Sequence, residues 1–182
     1  MKLVIMTIGV PGAGKTTTFA PLLEKYGLQS LSRDEIREEW FGDFHLRVQK
    51  ETTWEEWFGE DEVHAQKEAV RKEAARRTQE ALTKNLPVLL DSTFGERHKR
   101  INAITEARAA GAERIVGVFF TTPLNIAKER NIAREHPIQD SIIEKIYAEL
   151  QEEPPMIFEG FDALYTSDEF ERFETTELSA RT

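Results

Sequence analysis

The chain contains no cysteine, which excludes disulfides and cysteine-ligated metal centres and fits a reducing, cytoplasmic setting. It has no apolar run near the roughly 18–20 residues that a membrane span needs, so no membrane partner is expected. Low-complexity tracts, internal repeats and linkers are missing too. The expectation for 182 residues is therefore one domain over 1–182 with an ordinary core. A positive balance is also lacking: 24 Lys and Arg against 33 Asp and Glu leave −9. That argues against a broad basic surface for long nucleic acid, though not against a small basic site. Most of the acids are read as solvated surface. The opening "MKLVIMTIGV" has the early lysine and apolar run of a signal peptide. It passes straight into a glycine loop with no small-residue cleavage site, so it reads as a buried strand.

What is present is an alternation of short apolar runs and helical stripes, the pattern of an α/β fold with a mostly parallel sheet. "LVIMTIG" (3–9), "LQSLS" (28–32), "PVLLDST" (87–93), "RIVGVFFT" (114–121) and a short stretch near "ALYT" are the expected strands, about five in all. Between them, "KTTTFAPLLEKYG" is a helix stopped by Gly27. A long helical pattern from Asp61 to Lys84 carries Val63, Val70, Ala74 and Ala81 on one side, with Glu68–Lys72 and Glu73–Arg77 at i,i+4. Thr122, with Pro123 behind it, is read as the cap of a later helix. Ser141 and Glu144 form a capping-box pattern before the stripe Ile142, Ile143, Ile146, Tyr147 and Leu150.

"GVPGAGKT" (9–16) matches the G-x-x-x-x-G-K-[ST] phosphate loop, and it sits between a buried strand and a helix as that motif requires. Its glycines let successive backbone N–H groups face phosphate oxygens, and the helix start adds its positive dipole end. Gly9, Pro11, Gly12, Ala13, Gly14, Lys15, Thr16 and Thr17 are the candidate nucleotide-binding residues. Lys15 would neutralise the β- and γ-phosphates, and the Thr16 hydroxyl would ligate Mg2+. No N-K-x-D guanine signature is present, so ATP is the expected nucleoside triphosphate, with GTP left open.

"LSRDEIR" (31–37) places Asp34 just past the second strand. In a doubly wound sheet, the carboxyl ends of adjacent strands share the ligand crevice, which puts Asp34 near the γ-phosphate. There a carboxylate can take the proton of an attacking hydroxyl as general base. The alternative is a helix N-cap. Arg37, on the same face, either holds a substrate phosphate or pairs with Asp34 or Glu38. Asp91 ends the third strand where an acid positions Mg2+, and Ser92 and Thr93 either bind substrate or cap the turn.

"LNIAKERNIAREHP" gathers Lys128, Arg130 and Arg134 at one helix end before His136-Pro137. The segment 126–140 is read as a helical lid whose Arg130 and Arg134 neutralise the transferring phosphoryl group, the alternative being a solvated face paired with Glu129 and Glu135. "ERHKR" (96–100), with Arg97 as a candidate substrate ligand, is either a basic patch beside the acceptor cleft or an exposed first helical turn. The acidic stretch 41–62 carries Trp54, Trp57 and Phe58 at helical spacing, for packing or for stacking on an unpaired base.

In their order along the chain, "TIGVPGAGKTT", "LSRDEIR", "LLDSTFGERHKR", "ERNIAREHP" and "EEPPMIFEGFDAL" resemble the polynucleotide 5′-hydroxyl kinases over about residues 2–165. That resemblance implies a P-loop kinase fold and transfer of the ATP γ-phosphate to a 5′-OH end of DNA or RNA. By position Lys15 and Thr16 match the phosphate and metal residues and Asp34 the base. Arg37 matches the arginine on the acceptor phosphate, Asp91 the acid after the third strand, and Arg130 and Arg134 the lid arginines. No acidic D-x-D phosphatase motif follows, and the 41–62 insert is not part of the family pattern. Similar enzymes phosphorylate small hydroxyl compounds such as nucleosides, sugars or antibiotics, and a nucleotide-dependent binding module is a further alternative.

Overall fold

Leu3 to Ile8 form the first strand, β1, buried along its whole length as a central parallel strand must be. In the computed structural model, which describes residues 1–42, 60–134 and 137–181, the chain alternates strand and helix from there on. Helix α1 (Lys15–Tyr26) is followed by β2 (Gln29–Leu31), α2 (Arg33–Phe41) and the long α3 (Glu60–Thr83). Then come β3 (Val88–Asp91), α4 (Arg97–Ala109), β4 (Arg114–Phe119), α5 (Leu124–Ile132) and α6 (Asp140–Glu152). Strand β5 (Ala163–Thr166) and the short α7 (Phe170–Phe173) close the order. The fold is the expected doubly wound α/β architecture with helices on both faces of a five-stranded sheet.

All strand pairings are parallel, in the order β2-β3-β1-β4-β5. This corrects one step of the sequence reasoning: β1 and β2 are not neighbours, because β3 lies between them. The chain leaves β1 toward one edge and leaves β3 toward the other, so the switch point falls between these two strands. Ligand crevices open at such points, outside the carboxyl ends of the strands. The phosphate loop follows β1 and Asp91 ends β3, so both border this crevice.

The core is the apolar content of the strands packed against the inner helix faces, with Leu3, Ile5, Met6, Ile8, Ile115 and Val118 fully excluded from solvent. Val63, Val70, Ala74 and Ala81 are buried on α3 as its periodicity predicts. Gly27 ends α1 at φ 63°, a left-handed conformation that glycine adopts without steric cost. Beyond β5, Phe173 and Leu178 are buried, and Phe173 meets the ring of Phe19 on α1 at 5.7 Å. Arg114 clasps Glu177 with two bonds of 2.6 Å, sealing this tail onto β4.

Two capping expectations fail. Pro123, not Thr122, occupies the cap of α5, and the Thr122 hydroxyl instead donates to the Ala13 carbonyl at 2.9 Å. Helix α6 begins at Asp140 with Gln139 as its N-cap, which puts Ser141 inside the first turn, so the Ser141–Glu144 box does not form, and Glu144 instead accepts from Lys128. Trp54, Trp57 and Phe58, with Glu135 and His136, lie outside the described residues.

Candidate active site

The phosphate loop is held from two sides. Gly9 N–H donates to the Thr93 carbonyl at 3.0 Å, which joins the loop to the end of β3. On the other side α5 comes so close that a Cβ at Gly12 would fall 2.1 Å from the Ala127 carbonyl oxygen. Gly12, at φ +81°, is therefore required both by conformation and by space. Pro11 and Ala13 are buried within the loop, while Thr16 and Thr17 are exposed where α1 begins. The Lys15 ammonium donates to the carbonyls of Gly9 and Val10, at 2.8 and 3.0 Å. Burial pushes its pKa down to about 8; the nearby Asp91 carboxylate opposes that shift and the positive Arg134 adds to it.

Asp91 bridges strand and loop. Its Oδ1 accepts from the Thr7 hydroxyl at 2.8 Å, and its Oδ2 from the Thr16 hydroxyl at 3.3 Å. A carboxylate and a hydroxyl oxygen thus stand side by side at the base of the loop, a hard-oxygen pair of the kind Mg2+ takes alongside phosphate and water.

Ser32 caps α2: its hydroxyl accepts from the backbone N–H groups of Asp34 and Glu35, at 3.3 and 3.4 Å. The capping role weighed for Asp34 is thereby filled by another residue. The Asp34 carboxylate pairs with Arg37, one turn on, and its side chain remains 58% exposed. Asp34 and Arg37 line a cleft of about 360 Å³ together with Asp91, Ser92, Thr93 and Phe94 from the end of β3. The carboxyl of Glu35 is raised above its usual range, first by burial and then by the charges of Asp91 and Asp34, so the two acids act on one region.

Of the remaining walls, His98 and Lys99 belong to "ERHKR", the stretch read as a patch beside the cleft, whereas Arg71, Asn102 and Glu106 were not singled out in the sequence. Glu106 on α4 accepts from Arg33 of α2 at 2.7 Å and from Arg71 of α3 at 2.9 Å, tying three helices together around the cleft. His98, Lys99 and Asn102 of α4 complete the lining. Lys99, Asn102 and Glu106 recur at i, i+3 and i+7, a single helical face that was legible as such. Arg97 is placed differently: its guanidinium lies over the Phe158 ring, 4.9 Å from the centroid, and it does not line the cleft. The basic-patch reading of "ERHKR" fails for Arg100, which is fully buried on Glu159 and on the carbonyls of Phe94, Gly95 and Glu153.

In the segment 126–140 the cations divide. Lys128 bonds Asp140, at 3.1 Å, and Glu144, so it anchors α6. Asn131, buried, grips the Ile138 backbone with its amide N–H at 2.7 Å and its carbonyl at 3.0 Å. Arg130 Nη1 stands 3.5 Å from where a Cβ on Gly14 would be, directly against the phosphate loop. Neither Arg130 nor Arg134 forms an ion pair with Glu129 among the described residues, and both side chains are exposed.

Fold and loop together define a nucleotide-binding P-loop domain of the kinase-like class. The chain belongs to the AAA domain family AAA_33, which it matches over residues 4–152. No curated protein matches it in sequence. Among solved structures, the fold is similar to one in the Pnkp1/Rnl/Hen1 RNA repair complex, at 21% identity and a TM-score of 0.63, covering 83% of this chain and 44% of that one. A sugar kinase from Janibacter sp. is similar at 17% identity and 0.62, covering 96% and 94%. Shikimate kinase from Acinetobacter baumannii follows at 21% and 0.57, covering 100% and 96%.

Proposed function

We propose that the chain transfers the γ-phosphoryl group of ATP to the 5′-hydroxyl end of a DNA or RNA strand. The observation that carries this reading is Asp34: released from capping by Ser32, it lines one cleft with Asp91 and Arg37. Asp34 accepts the proton of the acceptor hydroxyl as that oxygen bonds to the γ-phosphorus, and the bond to the bridging oxygen of ADP breaks. Arg37 holds a phosphate of the acceptor. Lys15 exchanges the Gly9 and Val10 carbonyls for β- and γ-phosphate oxygens. Arg130 and Arg134 neutralise charge as it develops on the transferring group. The Thr16 hydroxyl and the Asp91 carboxylate suit Mg2+, which when bound offsets the negative charge between the β- and γ-phosphates. GTP is the second candidate donor.

A compact acceptor is the alternative, and the cleft itself favours it. Each of its Arg and Lys cations already has an acidic partner, Arg33 in Glu106, Arg71 in Glu68 and Glu106, Arg37 in Asp34 and Lys99 in Glu96. A volume of about 360 Å³ also suits one nucleoside or sugar. The deciding experiment incubates the protein with γ-labelled ATP, Mg2+ and a panel of 5′-OH oligonucleotides, nucleosides and sugars. Label on oligonucleotide ends is the expected result. Label confined to small compounds would replace the polynucleotide reading with the second one, and label on nothing would remove phosphoryl transfer altogether.

A further inference from the structure

Scattered exposed apolar side chains are ordinary, whereas a contiguous group of them held rigidly is not. Met156, Ile157 and Phe158 are 45%, 53% and 64% exposed in succession. They ride on a short 3-10 turn, Ile157–Glu159, whose base is locked. The Glu159 carboxylate, buried, receives Arg100 at 2.7 Å and the Met156 N–H at 3.2 Å. Exposure of this triplet is therefore imposed by the fold. A buried ion pair, Arg100 with Glu159, anchors the turn.

One cation attends the patch. Arg97 stacks on Phe158, its Nε is buried without a hydrogen-bond partner, and no carboxylate pairs with it among the described residues. The next two residues, His98 and Lys99, line the acceptor cleft. Apolar surface, an aromatic ring and an uncompensated guanidinium thus meet at the first turn of α4, the turn that also carries His98 and Lys99. Positive charge without a carboxylate beside a stackable ring suits a ligand with flat faces and negative charge, which is the chemistry of an unpaired nucleotide.

We infer that Phe158, Ile157, Met156 and Arg97 form a stacking surface for the unpaired nucleotides directly 3′ of the accepted 5′ end. This rests on the polynucleotide reading above and adds where the strand runs on leaving the cleft. It also reconciles an acidic protein with a nucleic-acid acceptor. The contact is short and relies on stacking, which is sequence-tolerant, rather than on a long basic track.

The test compares thymidine 3′-phosphate with 5′-OH oligothymidylates of two, four and six residues as acceptors, for the wild type, Phe158→Ala and Arg97→Gln. KM is expected to fall about ten- to a hundred-fold from the mononucleotide to the tetramer in the wild type. Phe158→Ala, an exposed position, should remove most of that gain while leaving turnover of thymidine 3′-phosphate unchanged. Identical length dependence in wild type and variants would overturn the inference. So would a change in sedimentation on Phe158→Ala without any change in oligonucleotide affinity, since that marks a protein-binding surface. If the wild type labels no 5′-OH end, the proposed activity fails, and anisotropy of a 3′-fluorescein tetramer then judges the surface alone. Binding lost in Phe158→Ala upholds it, and absence of binding refutes it.

Discussion

Arg100 and Glu159 meet across 59 positions of sequence, Nε to Oε2 at 2.7 Å, with both side chains wholly removed from solvent. A second N–H goes to Glu159 Oε1 and the other three to the carbonyls of Phe94, Gly95 and Glu153, so this one residue ties the wall of the cleft to the end of α6. Phe94 sits at φ 46°, an unfavourable left-handed backbone that these bonds hold in place. Removing one partner leaves the other charged and buried. Arg100→Ala and Glu159→Ala are each expected to lower stability by about 3–5 kcal/mol, read from urea unfolding. The double change Arg100→Leu/Glu159→Leu should cost less than either, because no charge is stranded.

Substitution separates the cap of α2 from the proposed base, Asp34. Ser32→Ala should cost about 1 kcal/mol of stability and leave turnover within a few-fold. Asp34→Asn should instead lower kcat by about 10²–10⁴ with ATP affinity nearly unchanged. Stability and single-turnover measurements on the two variants check both. Full turnover by Asp34→Asn would remove the general-base assignment.

Lys15 gives the protein a pH signature. Its folded pKa of about 8 lies below the ordinary 10.5, so its charged form is disfavoured in the fold. Below pH 8 the lysine is charged in both folded and unfolded states, and the full cost is present. Between about 8 and 10.5 the unfolded chain binds more protons, so this contribution to stability rises with pH. Lys15→Met should accordingly raise the melting temperature of the nucleotide-free protein at pH 7, by an amount that shrinks toward pH 10. Nucleotide binding should be lost in the same variant. A stability gain independent of pH would show that the lysine is not strained by its burial.

Gly12→Ala tests the contact between the phosphate loop and α5. The added methyl would meet the Ala127 carbonyl at 2.1 Å, in a backbone conformation that already disfavours a side chain. The strain alone is worth about 1–3 kcal/mol, and relief requires α5 to move off the loop. Calorimetry should show weakened ATP binding together with a lower melting temperature.

Arg130 and Arg134 differ from the neighbouring Lys128 in having no acidic partner among the described residues. Arg134→Ala and Arg130→Ala are expected to slow transfer by about 10³ while changing ATP affinity only a few-fold. Lys128→Ala should chiefly lower stability, since its bonds run to α6. Equal losses in kcat and in ATP affinity would argue against a role at the transferring phosphoryl group.

The sequence alone determined the features governed by near neighbours. Apolar runs specified buried parallel strands, Gly27 stopped α1, and the glycines and Lys15 of "GVPGAGKT" spelled a phosphate loop, because backbone conformation and hydrogen bonding act within a few residues. Tertiary structure decided what depends on long-range meetings. It put β3 between β1 and β2, gave the cap of α2 to Ser32, and sent Arg97 onto Phe158 and Arg100 into the core. Glu106 became a wall of the cleft only by meeting Arg33, 73 positions earlier in the chain. Charge and helical spacing are the same for a buried arginine and a solvated one. Burial and partner are set by which elements the sheet order brings together, and no local pattern encodes that.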